Sequence, residues 1–305
     1  MTSTLPASQL RDPTSLLTPE QSQTVEQWAR QIQSLVNTAV DQGGPAGRRV
    51  KNWLNGVWLG HPLHPALTDI PLGAWTVGVA ADLLHYPIPA LPTAVGDVGV
   101  GFGLIAGLGS ALSGYTDHHE TFGNERRVAT LHGLLMTIVV VLMTVSVVLR
   151  WKAGVGGHGL AVLFALVGVL VALTGAFFGG HLTFGIGTMV NHNAFAVGPE
   201  EAVAVGKAAD FAEGSMKVVQ AGDMPVLMTR VGGRLYAIAN TCSHAGGPLN
   251  EGSLEGDVVT CPWHASRFCV RDGAVRGGPA TFSQPALAVT EEHGQVKVKL
   301  AQPLH

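Results

Sequence analysis

Two consecutive stretches, VATLHGLLMTIVVVLMTVSVVL (128–149) and GLAVLFALVGVLVALTGAFFGG (159–180), run for 22 residues each without a charged side chain. A helix that long covers a hydrocarbon core of roughly 30 Å. Two further apolar stretches lie upstream, at about 66–84 and 93–115, and the second places Gly99, Gly103 and Gly107 at steps of four, a face suited to close helix packing. Four buried core helices of a soluble protein would be the alternative, and two charge-free spans in succession argue against it. Only 13% of the chain is charged, against about 25% in ordinary soluble domains, and the shortfall falls upstream of the last hundred residues. The net charge of −3 offers no basic surface, so nucleic acid is not an expected partner.

Four spans put both termini on one side. Arg48, Arg49, Lys51, Arg126 and Arg127 lie near span ends on that side, and Arg150 and Lys152 on the other. The excess places both termini in the cytoplasm of a bacterial inner membrane. The loop HYPIPALPTAV (85–95) has no Lys, Arg, Asp or Glu, as a translocated loop should, and Trp53, Trp58 and Trp151 fall where interface anchors belong. The N-terminus lacks a basic stretch followed by an apolar one, so no cleavable signal is expected.

Upstream of the spans, residues 1–17 read as a disordered tail. Thr18-Pro19-Glu20-Gln21 has the form of a capping box, and Val25, Trp28, Ile32, Leu35, Val36 and Ala39 then follow helical spacing until Gly43-Gly44-Pro45. That stripe suits packing on protein or lying in the membrane interface; a polar face richer in glutamine than in basic residues favours packing. Beyond residue 198, VLMTRV-GG-RLYAIA, FCVR-DG-AVR and LAVTEE-HG-QVKVKL read as three hairpins. The expected fold is therefore α + β and multidomain. It comprises a tail and amphipathic helix (1–52), a four-helix transmembrane bundle (53–195) and a small all-β domain (199–305).

Two loops of the β domain carry C-x-H (Cys242, His244) and C-x-x-H (Cys261, His264), with sixteen residues between His244 and Cys261. Two cysteines and two histidines suit structural zinc, but zinc fingers usually separate cysteines and histidines into different knuckles. Here each loop supplies one of each, which suits a binuclear centre with sulfur donors on one iron and nitrogen donors on the other. The pattern C-x-H, sixteen residues, then CPWH and Ser266 closely resembles the Rieske 2Fe-2S family over about a hundred residues.

By that resemblance Cys242 and Cys261 bind the inner iron, His244 and His264 the outer one, and Gly278-Pro279-Ala280 forms a proline loop over the cluster. Two thiolates leave the oxidised cluster neutral, so an electron is accepted more easily than with four thiolates. Where some relatives place a disulfide between the loops, this chain has Gly247 and Trp263. Ser266 keeps a hydroxyl donor to a cluster sulfide, whereas Phe268 stands where a tyrosine would supply a second. These departures imply the lower-potential, ferredoxin-like branch. Ala265 replaces a usual glycine, and Cys269 reads as a small buried residue.

An oxygenase of this family adds a mononuclear iron with two histidines and a carboxylate. Only His293 and His305 follow His264, so a self-contained oxygenase is not expected. The expected role is one-electron transfer between a soluble cytoplasmic donor, such as a reductase or ferredoxin, and an acceptor in the membrane. An iron–sulfur redox sensor and a ferredoxin-like subunit of an oxygenase system are the alternatives.

GHPLHPALTDIPLGAW (60–75), GGHL (179–182) and His132 resemble a functionally uncharacterised bacterial family of four-helix membrane domains, covering about 53–195. His61, His64, His118, His119, His132 and His181 all fall at the cytoplasmic span ends. Ionisable groups at membrane depth point to function, although each histidine taken alone also suits capping of a helix end. A haem b held by His132 with His64 or His181, a quinone site using Asp69 and a histidine, and a plain lipid anchor without cofactor all stand open. Asp82 and Asp97 lie toward the opposite side.

Overall fold

The computed structural model describes residues 13–153 and 158–301. The expected tail over residues 1–12, and His305, lie outside the described residues. Residues 13–16 form a short 3-10 turn, with Thr14 Oγ1 donating to Asn124 Oδ1 at 2.9 Å, so this end of the expected tail is ordered. The chain divides into two compact units, one made of residues up to Arg48 with Leu63–Ile186, the other of Arg49–Pro62 with the chain from Gly187 onward.

In the first unit, α1 (Pro19–Gln42) starts at the expected capping box. Gln21 N–H donates to Thr18 Oγ1 (3.2 Å) and Thr18 N–H to Gln21 Oε1 (2.8 Å). The helix packs on protein: Val25 and Ala29 are buried, and Gln33 Nε2 donates to the carbonyls of Thr121 (2.8 Å) and His118 (3.2 Å). Arg126 ties it further by pairing with Glu26. Of the stripe itself Val25 is buried, whereas Trp28 and Leu35 stay exposed, so protein covers only part of it.

Four long apolar helices follow: α3 (Leu63–His85), α4 (Ala94–His118), α5 (Gly123–Ala153) and α6 (His158–Gly180). Each has the length and composition to cross a membrane. Inside, Trp75 packs with Val79, Val100, Val139, Met143, Ala165 and Ala172. Glycine makes that packing possible, since a Cβ on Gly103 would lie 2.5 Å from the Trp75 ring. Outside, large apolar side chains such as Ile105, Leu112 and Phe177 are exposed, the inverse of a water-soluble bundle. Two of the acidic residues within spans, Asp82 and Asp97, share a partner. Arg150 is buried, pairs with Asp82, and donates to Asp97 Oδ1 at 2.8 Å, while His158 lies 3.1 Å from the same oxygen. Burial without such pairing would be costly.

In the second unit, β1 (Val203–Lys207), β2 (Met216–Ala221), β3 (Met224–Val231), β4 (Arg234–Ala239), β9 (Ala286–Glu292) and β10 (Gln295–Leu300) form an antiparallel sheet in the order β1-β10-β9-β4-β3-β2. A second sheet runs β5 (Ser253–Glu255), β6 (Val258–Thr260), β7 (Arg267–Cys269), β8 (Val275–Gly277). All three expected hairpins are present as β3–β4, β7–β8 and β9–β10. The chain before the spans departs from expectation: after Gly43 a second helix, α2 (Gly44–Asn55), forms, and its end groups with the β unit rather than with the bundle. The reason is polar contact, described below. Trp53 and Trp58 stack on one another, exposed, at 6.2 Å.

Candidate metal centre

The two cysteine–histidine loops share one backbone plan. Cys242 N–H donates to Gly247 O and Gly246 N–H to Cys242 O; Cys261 N–H donates to Ser266 O and Ala265 N–H to Cys261 O. In each loop the residue four past the cysteine is left-handed, Gly246 at φ 79° and Ala265 at φ 55°. A Cβ is strained in that conformation, which explains the family's glycine at the second site and makes Ala265 a local cost. The first loop leaves β4 and is pinned by Leu249 N–H to Asn240 O (2.9 Å); the second joins β6 to β7.

Those matched turns bring all four expected ligands together in the protein interior. Cys242, Cys261, His244 and His264 are each at most 5% exposed, and the imidazole centroids stand 4.8 Å apart. The cysteines sit against Leu227, Ile238, Leu249, Val259 and Phe268, an apolar floor. Of the two thiols, Cys261 gives up its proton readily. A hydrogen bond with the Cys242 thiol and the N–H groups of Trp263 and His264 hold it down to about 6, while the same pairing and burial push Cys242 up. The backbone N–H groups of His244 and Ala245 face Cys242 in the same way. Peptide donors aimed at sulfur favour thiolate, the form that binds metal.

Around these four, Ser266 is fully buried, and its hydroxyl accepts from Ala280 N–H at 3.0 Å, which leaves its own O–H to donate. Gly247 faces the other loop closely enough that a Cβ would lie 2.9 Å from Cys261 Sγ and 3.0 Å from the Trp263 ring. The three cysteines are free, so tryptophan packed on glycine stands in place of a bridge. Cys269 is buried on β7, its thiol 3.9 Å from Asp257 Oδ2.

Some supporting residues give no sequence signal. Gly278, just before Pro279, donates its N–H to Asn52 Oδ1 (3.1 Å), and its carbonyl accepts from Lys51 Nζ (3.5 Å). Asn193 Nδ2 donates to Thr241 O (2.9 Å), and His192 N–H to Ser243 O (3.0 Å). The first pair holds the proline loop and the second holds the first cysteine loop. Their partners are backbone groups some 226 and 50 residues distant, beyond the reach of a local pattern.

In the first unit, His64 and His132 lie with ring centroids 6.0 Å apart. Asp69 is exposed, and His181 opens a short π-helical turn (His181–Ile186). Several other histidines bond nearby groups, His118 Nε2 with Thr130 Oγ1 (2.9 Å) and His119 Nδ1 with Thr116 O (3.2 Å).

Comparison with known proteins decides what the β unit is. Residues 201–291 match the Rieske [2Fe-2S] domain, and residues 60–192 match the family described as predicted membrane protein (DUF2231). The ferredoxin component of biphenyl 2,3-dioxygenase from Rhodococcus jostii is 42% identical over 91 residues, 30% of this chain and 85% of that protein. The chain belongs to the Rieske [2Fe-2S] family. The ferredoxin subunit of 3-phenylpropionate/cinnamic acid dioxygenase from Escherichia coli K12 is 38% identical over 99 residues, 31% of this chain and 92% of that protein. The solved ferredoxin of carbazole 1,9a-dioxygenase from Nocardioides aromaticivorans is 29% identical, covering 32% of this chain and 97% of that one with a TM-score of 0.32, and the assignment rests on the sequence relatives.

The protein thus joins a Rieske domain, which carries a 2Fe-2S cluster and serves electron transfer, to a membrane-protein domain with four apolar helices. The Rieske residues fit such a group. Two buried thiols each meet peptide N–H donors, and two imidazoles meet edge to face. A two-iron group takes only two protein donors per iron, which the paired thiols and the paired imidazoles can supply.

Proposed function

We propose that this protein is a membrane-anchored one-electron carrier in which Cys242 and Cys261 ligate one iron of the Rieske cluster and His244 and His264 the other. The observation that carries the reading is the matched pair of loops, each offering one thiol and one imidazole from the same hydrogen-bonded turn. The cluster supplies reversible one-electron chemistry near neutral charge. The chain's own part is to hold it: peptide N–H groups stabilise the sulfurs, Ser266 donates from the side, and Trp263 and Pro279 cover it.

The donor is a soluble cytoplasmic redox protein of reductase or ferredoxin type, and the acceptor lies in or at the membrane. The excess of Arg and Lys at one set of span ends supports an inner-membrane protein with both termini and the Rieske domain in the cytoplasm. The names of the relatives favour one second reading, in which the acceptor is an oxygenase and the membrane domain holds the ferredoxin near its site of action. Non-haem iron and acid-labile sulfide assays on purified protein test the cluster; two of each per chain are expected, and zinc without sulfide would overturn it. Reporter fusions to the C-terminus test the orientation. Activity of a reporter that works only outside the cytoplasm would reverse it.

A further inference from the structure

The four spans contain a repeat that their apolar composition hides. Moving α3 by 68 residues lays His64 on His132, Trp75 on Met143, Gly78 on Ser146 and Asp82 on Arg150; moving α4 by 65 lays Gly103 on Gly168, Ser110 on Gly175 and Gly114 on Gly179. The contacts repeat with the positions. A Cβ on Gly103 would strike Trp75 at 2.5 Å, and one on Gly168 would strike Met143 at 2.8 Å. His64 Nδ1 bonds Ser110 O at 2.8 Å, and His132 Nδ1 bonds Gly175 O at 2.8 Å. One turn further on, Gly114 and Gly179 give each imidazole its room, since a Cβ there would lie 2.8 Å from His64 Cε1 and 3.1 Å from His132 Cε1.

Two hairpins built to one plan bring equivalent residues together. Asp82 meets its counterpart Arg150, and His64 meets His132. The two meetings are 18 residues apart along each helix, which is about 27 Å. The first is closed, because the carboxylate and guanidinium satisfy each other. The second is not, because two like groups face one another. A carbonyl only accepts, so each Nδ1 carries the proton, and each Nε2 keeps a lone pair. Such Nδ1–H to carbonyl bonds are how ligating histidines are oriented.

Two imidazoles bound to opposite sides of one metal, at about 2.0–2.1 Å per bond, place their ring centroids roughly 6.3 Å apart. The observed separation is 6.0 Å. A bare divalent ion needs more donors than two, and no third His, Cys, Asp or Glu converges on the pair among the described residues. A planar tetrapyrrole brings four nitrogens of its own and asks the protein only for axial ligands. The geometry points to a bis-histidine haem site in the membrane unit, with His64 and His132 as the axial ligands of one iron. No C-x-x-C-H is present, so the haem would be b-type, held without covalent attachment. This inference is independent of how the Rieske cluster is ligated.

The test uses full-length protein purified from haem-supplied cells, with reduced-minus-oxidised spectra, haem extraction, and the cluster's electron paramagnetic resonance (EPR) signal as the control for folding. One haem per chain is expected. His64→Ala and His132→Ala should each abolish the sharp bands and keep the cluster signal, while His181→Ala and Asp69→Asn keep both. Where an alanine variant fails to fold, His64→Met decides, since His/Met ligation should retain the bands and raise the haem potential. Protein with a full cluster signal and no extractable haem would overturn the assignment. So would bands surviving both alanine variants, or an unchanged haem potential in His64→Met.

Discussion

The protein brings two histidines together twice, by different means. In the Rieske unit His244 and His264 ride on short loops whose hydrogen bonds are the same bond for bond, and the strands only deliver the loops to one place. In the membrane unit His64 and His132 ride on separate helices 68 residues apart, and the packing of whole hairpins sets their separation. A loop site is written in a few adjacent residues and tolerates change elsewhere. A helix site depends on every small residue that lets the helices approach, such as Gly103 beneath Trp75.

The strongest way to break that contrast is to remove a ligand. Cys261→Ala or His264→Ala should abolish the cluster completely, seen as loss of its EPR signal and of acid-labile sulfide, because each iron has only two protein donors. The four-helix unit should persist, seen as unchanged helical circular dichroism in detergent.

Next in size is the buried ion pair of the bundle. Arg150→Ala strands Asp82, which is 4% exposed, and should cost about 3–5 kcal/mol of bundle stability in detergent unfolding. Replacing both partners, as Asp82→Leu with Arg150→Leu, should recover most of that loss. The cluster's signal should be insensitive to either change, and a lost signal would show that the two units depend on one another.

Smaller effects belong to the support of the loops. Asn52→Ala removes the acceptor of the Gly278 N–H and should cost about 1–2 kcal/mol in thermal unfolding of the Rieske unit. Ala265→Gly should do the opposite, relieving a left-handed alanine at φ 55° for a gain of roughly 0.5–1 kcal/mol. No gain at position 265 would mean that the two loops are less alike than their hydrogen bonds indicate.

The same contrast explains what could be read from the chain before its structure. Cys242, His244, Cys261 and His264 are legible because two short local patterns carry them, and the β-hairpins are legible because alternation and Gly-containing turns are local. The spans are legible by length alone. What escaped is mostly long-range: the hold of Lys51 and Asn52 on the proline loop and the partner of Asp82, whereas the second helix at Gly44–Asn55 is local but begins at a Gly-Pro pair that reads as a stop. His132 had two candidate partners in sequence, and only the packing of hairpin on hairpin distinguishes His64 from His181.

The Rieske centre is expected to be ferredoxin-like, its potential tuned by what surrounds its sulfurs. A redox titration of the purified full-length protein, followed by the cluster's EPR signal, tests it most directly. With Gly247 and Trp263 in place of a bridge and Phe268 in place of a hydroxyl donor, a single one-electron transition should appear in the lower part of the family's range of about −150 to +300 mV. A midpoint near the top of that range, or no titrating signal, would rule out a ferredoxin-like centre.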